Sequence, residues 1–216
     1  MKPNFEAIKA ASEGSSGSAI QQSGLYEVQI VKAYINTREG TQSKTLNLRV
    51  KPKDSDFQKV FFIRQTNNDG KENFEKILLD KLLVVCGIEE VKRLVPTKFK
   101  YKEKEYFEDC IQELENKQVI IQIKQEFSKW NGQIQERFRV INFFRTNDKA
   151  TAIEIVEQKD FGKKYESLDE TYVKSPSYKD GVTEQEAKAY IDARIASSGN
   201  GSTSQPAVKE SDEIPF

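Results

Sequence analysis

The sequence predicts a mainly β fold of the α+β class, and three observations carry the prediction. Apolar and polar residues alternate with period two through three successive segments within residues 25–65. One amphipathic stripe follows, from Phe74 to about Cys86. Two more strand-like segments, 119–123 and 138–144, then flank the turn signal Trp130-Asn131-Gly132.

Residues 25–35 form the first strand. Tyr26, Val28 and Ile30 share one face, but Val31, Ala33 and Ile35 continue on the other, so a bulge or bend is expected near Ile30. Arg38-Glu39-Gly40-Thr41 reads as a turn. Residues 44–50 alternate as a half-buried strand, with Leu46, Leu48 and Val50 inward and Thr45, Asn47 and Arg49 outward. After a break at 52–56, residues 57–65 place Phe57, Phe61 and Ile63 on one face and Val60, Phe62 and Arg64 on the other. Asn67-Asn68-Asp69-Gly70 is a second turn. Asn73 then caps a helix whose apolar stripe is Phe74, Ile77, Leu78, Leu82 and Val85, and Gly87 stops it.

A helical turn is expected over 89–95, then alternation of Lys98, Lys100, Lys102 and Lys104 against Phe99 and Tyr101, then a short helix over 107–116. Beyond the strand pair, 151–156 reads as one more strand. Thr183 with Glu186 makes a capping box for a helix to about Ile195. Residues 4–11 suit a short helix, while 12–23 and 197–204 are Ser/Gly-rich stretches that bury too little apolar surface to fold. Three strands, a helix and a strand hairpin is the element order of an OB-fold, a five-stranded barrel with its helix between strands three and four. The expected organisation is a helix and linker over 1–23, an OB-fold-like domain over 24–160, a helical extension over 161–196 and an acidic tail over 197–216.

Composition narrows the chemistry. The 216 residues are 37% hydrophobic and 31% charged, which suits one folded domain with solvated appendages. The absence of histidine removes imidazole acid–base catalysis, the Ser-His-Asp arrangement and most zinc sites. Cys86 and Cys110 stand too far apart in sequence for a CxxC knuckle, and two thiols make no disulfide framework. No run approaches the roughly 20 apolar residues that span a bilayer, and residues 1–23 lack an apolar signal core, so a cytoplasmic protein with no membrane partner is expected. A nuclease metal site would need an acidic cluster. Asp54, Asp56, Glu108 and Asp109 are the candidates, and no motif fixes a two-metal geometry for them. GxxxxGK[ST] is absent. Neither catalysis nor a cofactor is expected.

Charge is unevenly placed. Residues 24–145 carry 23 basic and 18 acidic groups, net +5, whereas 146–216 carry nine basic and 14 acidic groups, net −5. The last six residues, Ser211-Asp212-Glu213-Ile214-Pro215-Phe216, set an apolar tip under an acidic stretch. That is the pattern of a tethered peptide ligand for a pocket with a hydrophobic floor and a cation.

The ending Asp-Glu-Ile-Pro-Phe resembles the acidic tip of bacterial single-stranded DNA-binding proteins, with Glu213 where those have Asp. The body, from Gly24-Leu25-Tyr26 through Leu46-Asn47-Leu48-Arg49, is similar to small bacteriophage single-stranded DNA-binding proteins, which join an OB-fold core to an acidic tail. The resemblance implies a non-catalytic protein that coats and protects unpaired DNA in phage replication, recombination or repair, in the bacterial host cytoplasm. It also implies recruitment of a polymerase, a helicase or primase, or a nuclease through Asp212, Glu213, Ile214, Pro215 and Phe216.

Binding a single strand without sequence preference takes cations along the phosphates and exposed rings under the bases. Trp130, at the expected hairpin tip, is the first stacking candidate, and Phe62, beside Arg64, the second. Tyr34 and Phe127 read mainly as core. Candidate phosphate contacts are Arg49 and Lys51 on the second strand, Arg64 on the third, the stripe Lys98, Lys100 and Lys102, then Lys124, Arg137 and Arg139. Two other readings remain: a protein–protein adaptor that never touches nucleic acid, and a recombination annealing factor. Residues 146–195 serve as a dimerisation element, a lid or packing on the barrel, so a homodimer is one of the expected partnerships.

Overall fold

A computed structural model describes residues 20–53, 55–101 and 104–199. The expected N-terminal helix, most of the linker after it, Asp54, Lys102 and the tail residues Asp212, Glu213, Ile214, Pro215 and Phe216 lie outside them. The fold is a mainly antiparallel sheet with a few helices. Three strands, β1 (Gly24–Thr37), β2 (Lys44–Pro52) and β3 (Lys59–Arg64), precede a 3-10 turn (Phe74–Lys76) and helix α1 (Ile77–Val85). The hairpin β4 (Val95–Tyr101) and β5 (Lys104–Cys110) follows, then a 3-10 turn (Gln112–Leu114) and the long hairpin β6 (Gln118–Trp130) and β7 (Gln133–Phe144). Short helices α2 (Ala152–Glu157), α3 (Lys163–Glu166) and α4 (Glu170–Lys174), strand β8 (Ser177–Tyr178) and helix α5 (Glu184–Gly199) complete the chain.

The face switch in the first strand is a bulge. The β1–β2 register shifts between Ile30 and Lys32, leaving Val31 as the extra residue. That one insertion returns the apolar set to a single side, so Val28, Ile30 and Ala33 are all buried. They meet Leu46, Leu48 and Val50 of β2 and Phe61 and Ile63 of β3, and α1 covers them with Leu78, Leu82 and Val85. Asn73 accepts the Glu75 backbone N–H at 3.0 Å to start the helical segment, and Gly87, at φ +68°, takes the left-handed conformation that ends it.

The far edge of β1 serves two partners: β6 along residues 24–29, and β5 at Tyr34 and Ile35. The strands therefore run β3-β2-β1-β6-β7, with β5-β4 added on the other half of β1. Among the described residues no ladder joins β3 to β7, so the sheet is not a closed barrel. Side chains span that seam instead. The Lys59 ammonium lies 3.2 Å from the centre of the Phe138 ring. Glu75 accepts the Arg64 backbone N–H at 3.0 Å and the Arg139 guanidinium at 2.6 Å.

Four local expectations are corrected. Residues 107–110 continue strand β5, because pairing with β4 and β1 satisfies their backbone, and only Gln112–Leu114 turn helically. Residues 89–94 form no helical turn and lead into β4. Residues 152–157 are a helix, not a strand. Thr151 and Glu154 form a reciprocal capping box, in which the Glu154 carboxylate accepts the Thr151 backbone N–H at 2.7 Å. Ser197 and Ser198, read as disordered linker, fall within α5.

The described chain divides into two compact units. One holds residues up to Gln125 with Arg137–Ser177; the other holds Glu126–Glu136 with the residues from Tyr178 onward. The boundary thus cuts through the long hairpin. Within the second unit, Phe127, Val182 and Ala187 make a small core of their own, flanked by Ile134, Tyr190 and Ile191. No helix among the described residues is long and apolar enough to cross a membrane.

Candidate nucleic-acid interface

Because side chains alternate across a strand, the register fixes what lies on the face away from the core. Tyr34 of β1 is opposite Asn47 of β2, which is opposite Phe62 of β3. One row along, Asn36, Thr45 and Arg64 align; on the other side, Lys32, Arg49 and Val60. Three residues singled out in the sequence, Arg49, Phe62 and Arg64, therefore share one surface. Phe62 keeps 70% of its area in solvent. Neither the Arg49 nor the Arg64 guanidinium is paired with a carboxylate among the described residues.

The β4–β5 hairpin extends this face. The Phe99 ring meets Tyr34, centre to centre at 5.0 Å, and the Lys32 ammonium lies 5.2 Å from the Phe99 centre. Lys32 also approaches Glu115 at 3.8 Å. At the next row, the Asn36 amide donates to Glu108 Oε1 at 2.7 Å. Burial pushes the Glu108 carboxyl up, the Asn36 bond opposes that, and neighbouring Asp109 adds to it. The surface thus has rings at Phe62, Tyr34 and Phe99, cations at Arg49, Arg64 and Lys32, and polar amides between them. Its chemistry suits a flexible polyanion carrying flat rings.

The remaining candidates go elsewhere. Lys51 follows Arg49 on the same face of β2 but is tied to Asp56 at 2.8 Å. Lys98 alternates to the side of β4 opposite Phe99 and pairs with Glu105 at 2.7 Å, and Lys100 is in register with Glu105. Lys124 turns onto α4, where its ammonium donates to the Tyr172 carbonyl and lies 4.0 Å from that ring's centre. Burial pushes the Lys124 ammonium below its ordinary value. Arg139 is held by Glu75 beside the Phe74 ring, so its place is at the β3–β7 seam. Arg137 is exposed one alternation before it on β7.

Trp130 belongs to the second unit. It is 42% exposed and precedes the two-residue turn Asn131-Gly132, both at positive φ. Three ion pairs tie this hairpin end to the C-terminal segment: Glu126–Lys179 at 2.6 Å, Lys129–Glu186 at 2.7 Å, and Glu136–Arg194. The Lys179 backbone N–H also donates to the Phe127 carbonyl at 2.8 Å. Phe127 is fully buried there, against Tyr178 and Tyr190.

For the acidic candidates, Asp56 is occupied by Lys51 and Glu108 by Asn36. Among the described residues no three His, Cys, Asp or Glu side chains are grouped to hold a metal ion. Burial raises both thiols, that of Cys86 to about 11, so neither is primed as a thiolate. No protein-family profile, curated protein or solved structure matches the chain.

Proposed function

We propose that this protein is a non-catalytic single-stranded DNA-binding protein, working through the outer face of β1, β2 and β3. The observation that carries the reading is Phe62, an exposed ring between two arginines whose guanidinium groups have no carboxylate partner among the described residues. A base stacks on such a ring for roughly 1–3 kcal/mol, and arginines on either side engage the flanking phosphates. The half-buried Tyr34 and Phe99 pair continues the ring path toward the β4–β5 hairpin.

The strand path supports a finer reading of the fold. The path β3-β2-β1-β6-β7 with α1 after β3 is that of an OB-fold barrel left open between its last strand and its third. The β4–β5 hairpin is then an insertion that enlarges the binding face. The acidic segment Asp212–Phe216 would recruit the proteins that act on the coated strand, as the resemblance to phage and bacterial single-strand binders implies.

The test is a titration of fluorescein-labelled oligo-dT with the full chain, followed by anisotropy at low and moderate salt. Binding that weakens steeply with salt is expected, since each phosphate neutralised contributes a slope of about −0.7 in log K against log salt. No binding at low salt would overturn the reading.

A further inference from the structure

Asn47 occupies the middle of the proposed face, directly opposite Tyr34 on one side and Phe62 on the other. Only 5% of it is exposed. Its side-chain amide carries two N–H donors and one carbonyl acceptor. None of these makes a hydrogen bond with any described residue. Its oxygen and nitrogen are not sealed from solvent, since among the described residues only Glu113 Oε2 is a buried side-chain polar atom without a partner, so the polar head of this otherwise buried residue stands open to a ligand. A surface that only stacked rings and neutralised phosphates would have no use for this group. An apolar residue would fill the place, as Val60 does opposite Arg49. Directly opposed residues of an antiparallel pair hold their Cβ atoms about 5 Å apart. A base lying on Phe62 therefore has its edge within reach of the Asn47 amide.

We propose, resting on the single-strand reading above, that Asn47 recognises the Watson–Crick edge of the base stacked on Phe62. In thymine, the ring N3–H donates to Oδ1 of Asn47 and the O4 carbonyl accepts from Nδ2. Each of the four bases presents a donor beside an acceptor on that edge, and the amide turns over to match either order. In a duplex the same edge is taken by the opposite strand; in an unpaired strand it is open. Asn47 therefore favours unpaired bases whatever their identity, a selectivity that phosphate contacts alone do not give.

The experiment uses the full chain, its Asn47→Leu variant, and two labelled oligonucleotides: oligo-dT and the same length of N3-methylthymidine. Methylation removes the N3–H donor without touching the phosphates, and it tests the contact without altering the protein. Wild type is expected to bind the methylated strand about tenfold more weakly, the effect of one hydrogen bond. Asn47→Leu is expected to lose about tenfold on oligo-dT and to treat the two strands alike. Its melting temperature should stay close to that of wild type, since a side chain of similar volume replaces an amide that makes no hydrogen bond with any described residue. Three results would overturn the assignment: undiminished binding of oligo-dT by Asn47→Leu, continued discrimination by that variant, or equal binding of both strands by wild type. Failure of wild type to bind either strand would instead remove the single-strand reading on which the assignment rests.

Discussion

Phe61 and Phe62 are neighbours with opposite fates: Phe61 is buried in the sheet's core and Phe62 stands in water. The exposed ring forgoes roughly 1.5–3 kcal/mol of burial free energy, which a ligand-free role does not repay. Phe62→Ala should therefore leave urea stability within about 0.5 kcal/mol of wild type, as exposed substitutions do. It should weaken oligo-dT binding by about 1–3 kcal/mol, the worth of one stacked base. Unchanged anisotropy curves would mean that the ring does not touch the strand. At this scale much was readable in advance. Period-two alternation alone put Arg49, Phe62 and Arg64 outside the core. It did not reveal that Tyr34 joins them, because Tyr34 reaches that role through Phe99, which the β5–β1 pairing brings across from a distant segment. Nor did it reveal that Arg139 is committed to Glu75, 64 residues away.

Single elements show where local pattern sufficed and where it did not. The Thr183–Glu186 and Thr151–Glu154 boxes have the same spacing, yet only the first is followed by a pattern that suits a helix alone. The apolar run over 152–156 also fits a strand, and the exposure of Ile153 and Val156 is not visible in sequence. At the open side of the sheet, Glu75 does the work of a missing ladder, accepting from β3 and β7 at once. Glu75→Ala should cost about 1–3 kcal/mol, measured by urea denaturation, by removing the carboxylate that the Arg64 backbone N–H and the Arg139 guanidinium share. A cost indistinguishable from zero would mean that Lys59 on Phe138 holds the seam unaided. In the second unit, the Lys129 ammonium, the Thr183 backbone N–H and the Thr183 hydroxyl hold the Glu186 carboxyl down from its ordinary 4.5 to about 2. A depressed carboxyl contributes stability above pH 4.5, and that contribution is lost as pH falls through about 2. Acid titration should loosen this unit across that window, read by Trp130, the single tryptophan. Glu186→Gln should remove the transition; its persistence would place the titrating group elsewhere.

For the whole molecule, a formal charge of zero conceals a net +5 over residues 24–145 and a net −5 over 146–216. The charge a strand meets is therefore set by which groups are free, not by their sum. The Lys51, Lys98 and Arg139 cations each have a carboxylate partner, whereas the Arg49 and Arg64 guanidinium groups have none among the described residues. Replacing each of these two arginines by Gln should reduce the salt slope of binding by about 0.7, whereas Lys98→Gln should change it little. A larger effect from Lys98 would move the groove to the back of the hairpin. A mainly β fold with a helix after the third strand is legible in the element order. The open β3–β7 side and the division through the long hairpin are not, because both depend on pairings between segments far apart in the chain.

The most direct measurement is photocrosslinking of the full chain to oligonucleotides carrying 5-iododeoxyuridine, with the attachment mapped by mass spectrometry. Crosslinks should concentrate on the tryptic peptide of residues 60–64, at Phe62. Efficient crosslinking that spares this peptide and marks only other parts of the chain would contradict the assignment of this face.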